Sequence, residues 1–189
     1  MSSTRDRIIE ATLQLVAEEG LAGVTMVAVA KAAGVARATL YNHYTDVPSV
    51  LADAARVHNE HAIAGLRQAM AVVSGPSQGI EQLVRYVASI SMHGHSLSTH
   101  HHFPPELRNQ LGAFDLELAQ QLETTLVGGV ASGEFRPALD IDTTATLLLH
   151  ALVGVSELVA ATPDRAAPIA DSAIATLLAA IGADPKDRS

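Results

Sequence analysis

An all-α fold is what this sequence predicts, and three observations predict it. Apolar residues recur every three to four positions, and valine and isoleucine fall inside those periods rather than in alternating runs. The apolar material is mostly alanine, leucine and valine, with aromatics at 3% and no tryptophan. Alanine and leucine are strong helix formers. Glycine, proline and short polar residues stand where the periodic segments begin and end. At 189 residues and 48% hydrophobic, the chain can bury a sizeable core in one or two domains.

The elements follow in order. A first helix is expected from about Thr4 to Glu19, with Ile9, Leu13 and Val16 on one face and Ile8, Thr12 and Leu15 beside them. Gly20 ends it. The Thr25 hydroxyl can cap a second helix that runs to Ala33. A short third helix covers about Arg37 to Tyr44. Pro48 suits the first turn of a fourth, which continues to about Val73. SGPSQG, residues 74–79, interrupts the chain. The fifth helix follows, striped by Ile80, Leu83, Val84, Val87 and Ile90. Pro104 and Pro105 open a sixth near Glu106, in which Phe114, Leu118, Leu122 and Leu126 repeat every fourth position. Asp140 or Asp142 can cap a seventh, Thr143 to Ala161. That helix has two apolar faces: Leu148, Leu152, Val155 and Val159 form one, and Leu147, Ala151, Gly154 and Leu158 the other. Both must be covered, and in so short a chain the second cover is another copy. A last helix, about Pro168 to Ile181, adds Ile174, Leu177 and Leu178 before the polar tail ADPKDRS. A homodimer is therefore expected through Leu148, Leu152, Val155, Leu158, Ile174 and Leu178.

Composition narrows the function. There is no cysteine, so disulfides and thiolate metal sites are excluded and a reducing cytoplasm is the expected setting. Charges at Arg5, Asp6 and Arg7 do not suit a secretory signal. The longest uncharged apolar run, Thr143 to Ser156, is 14 residues and too short to span a bilayer. No P-loop, GxSxG or HExxH appears and no nucleophile–base pairing is visible, so neither an enzyme nor a cofactor is expected. The net charge is −8, but residues 1–50 balance four cations (Arg5, Arg7, Lys31, Arg37) against five acids (Asp6, Glu10, Glu18, Glu19, Asp46). The acidity therefore lies mostly beyond residue 50.

The most informative segment is VTMVAVAKAAGVARATLYNHY, Val24 to Tyr44. Ala30 lies where two helices cross, and a larger side chain would force them apart. Gly34 follows the first of them, where a left-handed residue is easiest without a Cβ. Val35 and Leu40 anchor the second helix, leaving its other face to the major groove. This is the spacing of a helix-turn-helix. Arg37 is the one cation of the second helix, able to reach guanine or a phosphate, and Asn42 can pair with adenine.

With Gly20, Thr25, the run AGVARATLYNHY and Leu51, the segment resembles the signature of tetracycline-repressor (TetR) type regulators. The resemblance covers about a quarter of the chain. It implies a helix-turn-helix DNA-binding domain over residues 1–47 and a helical ligand-binding and dimerisation domain over 48–189. It implies a regulator, most simply a repressor, that binds a palindromic double-stranded DNA operator as a homodimer and answers to a small-molecule effector. Thr25, Lys31, Arg37, Thr39, Tyr41, Asn42 and His43 would meet the DNA. His61, Tyr86, Ile90, His93, Phe103, Phe114 and Leu118 would line an effector site, mostly apolar with a few polar points, with Met70, Leu83 and Val87 as further walls. Arg67, Arg85 and Arg108 are too scattered to receive a polyanion. Three positions depart from the pattern. Ala36 stands where a hydroxyl residue often caps the third helix, Tyr44 replaces the common Phe, and Val47 stands where a Lys often meets a phosphate.

The histidines at 93, 95 and 100–102 leave three readings: a metal site completed by His58 or His61, a solvated loop, or part of the effector pocket. His93 and His95 diverge on a helix, and of the consecutive His100, His101 and His102 at most two share a direction, so no metal is assigned. A histidine-metal enzyme or sensor is the alternative of a different class. A chain that keeps the fold but has lost DNA binding is a third.

Overall fold

The computed structural model describes residues 3–92 and 105–182, with backbone alone at 105–111. Its helices are α1 (Thr4–Glu19), α2 (Met26–Ala32), α3 (Arg37–His43), α4 (Val47–Met70), α5 (Pro76–Ser91), α6 (Pro105–Ser132), α7 (Ile141–Ala161) and α8 (Ala166–Ile181). No strand occurs among the described residues, where Phe135 and Gly182 form an isolated bridge. The all-α class is that expected. The described residues form two compact units, 3–61 with 105–111 and 62–92 with 112–182. The first unit thus takes in α4 as far as His61, whereas the sequence pattern divides the chain at residue 47.

In the first unit, α1 opens on a reciprocal cap. The Asp6 N–H donates to Ser3 Oγ at 3.1 Å and the Ser3 N–H to the Asp6 carboxylate at 2.9 Å. Its core side is Ile8, Ile9, Ala11, Thr12 and Leu15, while Leu13 and Val16 are half-buried. The buried face therefore takes in Ile9 from the expected stripe and leaves its Leu13 and Val16 at the edge. Fully buried Thr12 satisfies its hydroxyl on the Ile8 carbonyl at 2.8 Å.

The turn between α2 and α3 is built as its residue types require. Thr25 Oγ1 accepts from the Ala28 N–H at 3.1 Å and starts α2. Gly34 has φ 63°, and beyond it the Val35 N–H donates to the Ala30 carbonyl at 3.0 Å. Ala30 and Ala33 are buried, and fully buried Leu40 pins α3 to the core. Ala36 takes the cap position of α3 with extended backbone and no side-chain acceptor. A serine there would contribute about 1 kcal/mol. Asp46 and Ser49 cap α4 reciprocally, at 2.8 and 3.2 Å, and draw its start to Val47.

In the second unit, α5 packs against α7 and α8, with Ile80, Leu83, Val84 and Val87 inaccessible to solvent. The helix begins at Pro76, inside the segment that reads as an interruption. Its first turn is completed from a distance: the Glu134 carboxylate accepts from the Ser77 N–H at 3.1 Å and the Ser77 hydroxyl at 2.7 Å. Asp140, of the two candidates, caps α7 by accepting from the Thr143 N–H at 3.0 Å. By length and composition α7 could cross a membrane, with mean hydropathy 1.6 in its most apolar window. Its Leu148, Leu152, Val155 and Val159 side is instead core of this unit.

Candidate nucleic-acid interface

With Leu40 buried beneath it, α3 turns Arg37, Ala38, Tyr41, Asn42 and His43 outward, and Thr39 is half-buried. Lys31, in the last turn of α2, is also exposed. Thr25 is exposed too, but its oxygen already serves the α2 cap. Arg37, Lys31 and Arg7 make no ion pair among the described residues, so three cations stand open on this unit. A surface with so little charge cannot rely on phosphate attraction. Hydroxyls, amides and base contacts must carry more of the binding.

Tyr44, beside His43 with ring centroids 6.3 Å apart, does not join that outward face. It ends α3, buries its ring in the core of the unit, and donates its hydroxyl to Asp53 Oδ2 at 2.6 Å. The same carboxylate accepts from Arg5 Nε at 2.9 Å and from Arg56 Nη2 at 2.8 Å, and a second Arg5 nitrogen reaches its other oxygen. Burial works to raise the Asp53 pKa, but the hydrogen bonds from Tyr44, Arg5 and Arg56 outweigh it and hold the carboxyl at about 2. Burial, then the bond to Asp53, pushes the Tyr44 phenol up to about 12. Residue spacing did not reveal this cluster, because Arg5 lies 48 positions from Asp53. One signal was present. A tyrosine in a phenylalanine position brings a hydroxyl into a core, and that hydroxyl needs a partner.

The candidate effector residues are distributed differently from the expectation. Phe114 and Leu118, with Leu83 and Val87, are fully buried in the core of the second unit, leaving no water-sized void against them. Tyr86 packs near Phe114, with centroids 6.4 Å apart, and donates its hydroxyl to the Ala62 carbonyl at 2.7 Å. Ile90 and Met70 are half-buried and His61 is exposed. His93 and Phe103 lie outside the described residues. Three polar residues that the apolar pattern concealed lie in this core. Buried Glu117 accepts from Arg67 at 2.6 and 3.1 Å and from Gln121 at 3.1 Å. The buried Ser91 and Ser156 hydroxyls meet at 2.9 Å. Among the described residues no three histidines or carboxylates group so as to hold a metal, and the histidines at 93, 95 and 100–102 lie outside them. Burial, then the charge of His61, lowers the His58 pKa.

Of the residues expected to pair two copies, Leu148, Leu152, Val155 and Ile174 are core of their own protomer, and Leu178 is partly buried. The open side of α7 carries Leu147, 65% exposed, and Leu158, 58% exposed. Beside it a groove of about 350 Å³ between α7 and α8 is lined by Ala151, Leu158, Ile169, Ala173 and Leu177 among others.

An exposed short helix, set by a glycine turn across a small-residue helix and anchored by one buried leucine, is the reading head of a DNA-binding protein. Residues 8–46 match the family model described as bacterial regulatory proteins, tetR family. Over 147 residues the chain is 23% identical to the HTH-type transcriptional repressor KstR2 of Mycolicibacterium smegmatis, covering 75% of this chain and 72% of that protein. The fold matches the transcriptional regulator FadR of Bacillus subtilis in complex with stearoyl-CoA, with a TM-score of 0.77, 18% identity, and 91% and 96% of the two chains covered. It also matches the ketosteroid transcriptional regulator KstR2 of Mycobacterium tuberculosis, with a TM-score of 0.74, 19% identity and 97% of each chain covered. Over residues 8–46 the chain carries the tetR-family domain of bacterial regulatory proteins, a DNA-binding module of transcriptional regulators.

The Asp53 cluster makes a pH-dependent contribution to stability. The folded pKa of about 2 lies below the ordinary value of 3.8, so the contribution is complete above that value and is lost as pH falls from 3.8 through 2. Asp53→Asn should lower the melting temperature at pH 7 by about 4 °C, for a loss on the order of 1.5 kcal/mol. The gap to wild type should narrow below pH 4 and close near pH 2. A gap that stays constant down to pH 2 in thermal scans would show that the carboxylate charge is not what stabilises the unit.

Proposed function

We propose that this chain is a ligand-responsive repressor. It binds a palindromic operator as a homodimer in the cytoplasm, and a small, largely apolar effector changes its DNA affinity. The observation that carries the reading is the outward face of α3, where Arg37 is the open cation beside Tyr41 and Asn42. Thr39, His43, Thr25 and Lys31 are assigned to phosphates and to bracing the contact. The family is one of regulators, and no reaction is assigned to this chain.

An apolar effector is supported by the two relatives, one solved with stearoyl-CoA and one described as a ketosteroid regulator. Tyr86, Ile90, Phe114 and Leu118 are its proposed contacts. Because that core is closed, the effector must bind a rearranged state and shift the population toward it. The charged end of a polyanionic ligand finds little here. Arg67 is engaged by Glu117, and Arg85 by Glu81 and Asp171. The segment that can pass the change to the reader is α4, which runs from one unit into the other.

The dimer is proposed through the open side of α7 and the α7–α8 groove. Gly154 lies between Leu147 and Leu158 on that side, and a Cβ built on it meets nothing within 4 Å. A glycine inside a helix costs about 1 kcal/mol relative to alanine, and no contact within the protomer requires it. Close approach of a second copy's helix accounts for it.

Three outcomes are expected. Arg37→Ala should weaken binding to a duplex selected by the wild-type protein from a random pool by about 10- to 100-fold, as removal of one base-reading arginine does, with the circular dichroism unchanged. Wild-type affinity in this variant, measured by fluorescence anisotropy, would remove Arg37 from the interface. Leu158→Glu should sediment as a folded monomer at micromolar concentration where the wild type is a dimer, whereas Leu152→Glu should fail to fold. Dimers of Leu158→Glu would place the interface elsewhere. An apolar, sterol-sized compound bearing a carbonyl or hydroxyl should raise the melting temperature, since a ligand at 100 times its dissociation constant adds about 2.7 kcal/mol. Absence of any shift across a panel of such compounds would count against an apolar effector.

A further inference from the structure

The carboxylate of Asp53 is saturated. Oδ2 accepts the Tyr44 hydroxyl and Arg5 Nε, and Oδ1 accepts one nitrogen each from Arg5 and Arg56. These partners come from three places in the reading unit: the first turn of α1, the residue that ends α3, and α4 itself. The helix that meets DNA has only seven residues, and no side chain caps its start. Its remaining anchors are the buried rings and chains of Leu40 and Tyr44. Apolar packing resists separation but has little directionality, so it leaves rotation and small slides open. A hydrogen bond to a charged carboxylate is directional and strong.

The geometry points to Asp53 as a positioning residue for DNA recognition. Through the Tyr44 hydroxyl it sets the angle at which α3 leaves α4, and through Arg5 it holds the start of α1 to the same point. Asp53 does not itself touch DNA. It neutralises two cations that a phosphate could otherwise attract, so in charge alone it opposes DNA binding, and its benefit is orientation. The Tyr44 hydroxyl is the other half of the device. This inference rests on the DNA-binding reading of the first unit.

The test separates orientation from charge and from folding. The full-length wild-type protein first selects a duplex from a random-sequence pool. Affinities for that duplex and for a shuffled duplex of equal composition are then measured for wild type, Tyr44→Phe and Asp53→Asn, at a temperature where circular dichroism shows each fully folded. Tyr44→Phe keeps the ring and the net charge. Its affinity for the selected duplex should fall about tenfold, the equivalent of one hydrogen bond to a charged group, with the shuffled duplex unchanged. Asp53→Asn should lose affinity for the selected duplex and gain a little for the shuffled one, because one negative charge is gone. A folded Tyr44→Phe with the wild-type ratio of the two affinities overturns the proposal, and so does an equal fall on both duplexes. If Asp53→Asn does not fold, the Tyr44→Phe ratio decides alone. A wild-type chain that selects no duplex overturns the DNA-binding reading itself, an outcome distinct from a normal wild type with an unaffected variant.

Discussion

A seven-residue helix is not stable by itself in water; isolated helices below about 12–15 residues are marginal. The reading function of this chain depends on that constraint, because α3 exists only while docked. Each unusual residue around it serves the docking. Gly34 takes a left-handed conformation so that the chain can reverse without strain. Ala30 and Ala33 keep the crossing close, and Leu40 supplies the buried anchor. Tyr44 closes the helix at its other end and fastens it to Asp53. The missing cap at Ala36 is tolerable only because these contacts replace what the helix lacks in its own propensity.

The electrostatics follow from the same economy of charge. The chain carries a net charge of −8, and the reading unit contributes few open cations. Arg5 and Arg56 are both paired with Asp53. So few open cations argue for weak salt-dependent attraction to DNA. On the proposed reading, base contacts from α3 would then carry discrimination, and a fixed helix angle would serve them.

Much of the architecture was legible because it is written in local chemistry. Gly20, Thr25, Gly34 and Asp140 sit at helix ends for backbone reasons that need no tertiary contact. The reader was legible for the same reason, since its turn is a spacing of residue types. Choices made by tertiary packing were not legible. On α1, packing buries Ile8, Thr12 and Leu15 together with Ile9 and leaves Leu13 and Val16, of the same helical period as Ile9, half-buried. On α7, both faces are apolar, and packing on α5 and α8 takes Leu148, Leu152 and Val155 inward. The start of α5 was hidden because Glu134, 57 residues from Ser77, completes its first turn. Asp53 and Glu117 were hidden likewise, since each is matched by an arginine about fifty positions away.

The closed core of the second unit bears on how regulation can work. Phe114, Leu118, Leu83 and Val87 are inaccessible to solvent, so an effector that touched them would have to displace protein contacts. Burying roughly 400 Å² of apolar ligand surface is worth about 10 kcal/mol at 25 cal/mol per Å². Moving a two-state equilibrium from 1:99 to 99:1 needs about 5.5 kcal/mol of differential binding. The first figure is gross, and the cost of association and of opening the core must be subtracted before it is set against the second. A small polar ligand gains less, because each polar group taken into that core needs a partner, and several of those described there are engaged with one another. Arg67 and Gln121 hold Glu117, Tyr86 holds the Ala62 carbonyl, and Ser91 meets Ser156. If an effector acts here as proposed, a closed core would select for size and apolarity before any specific contact is made.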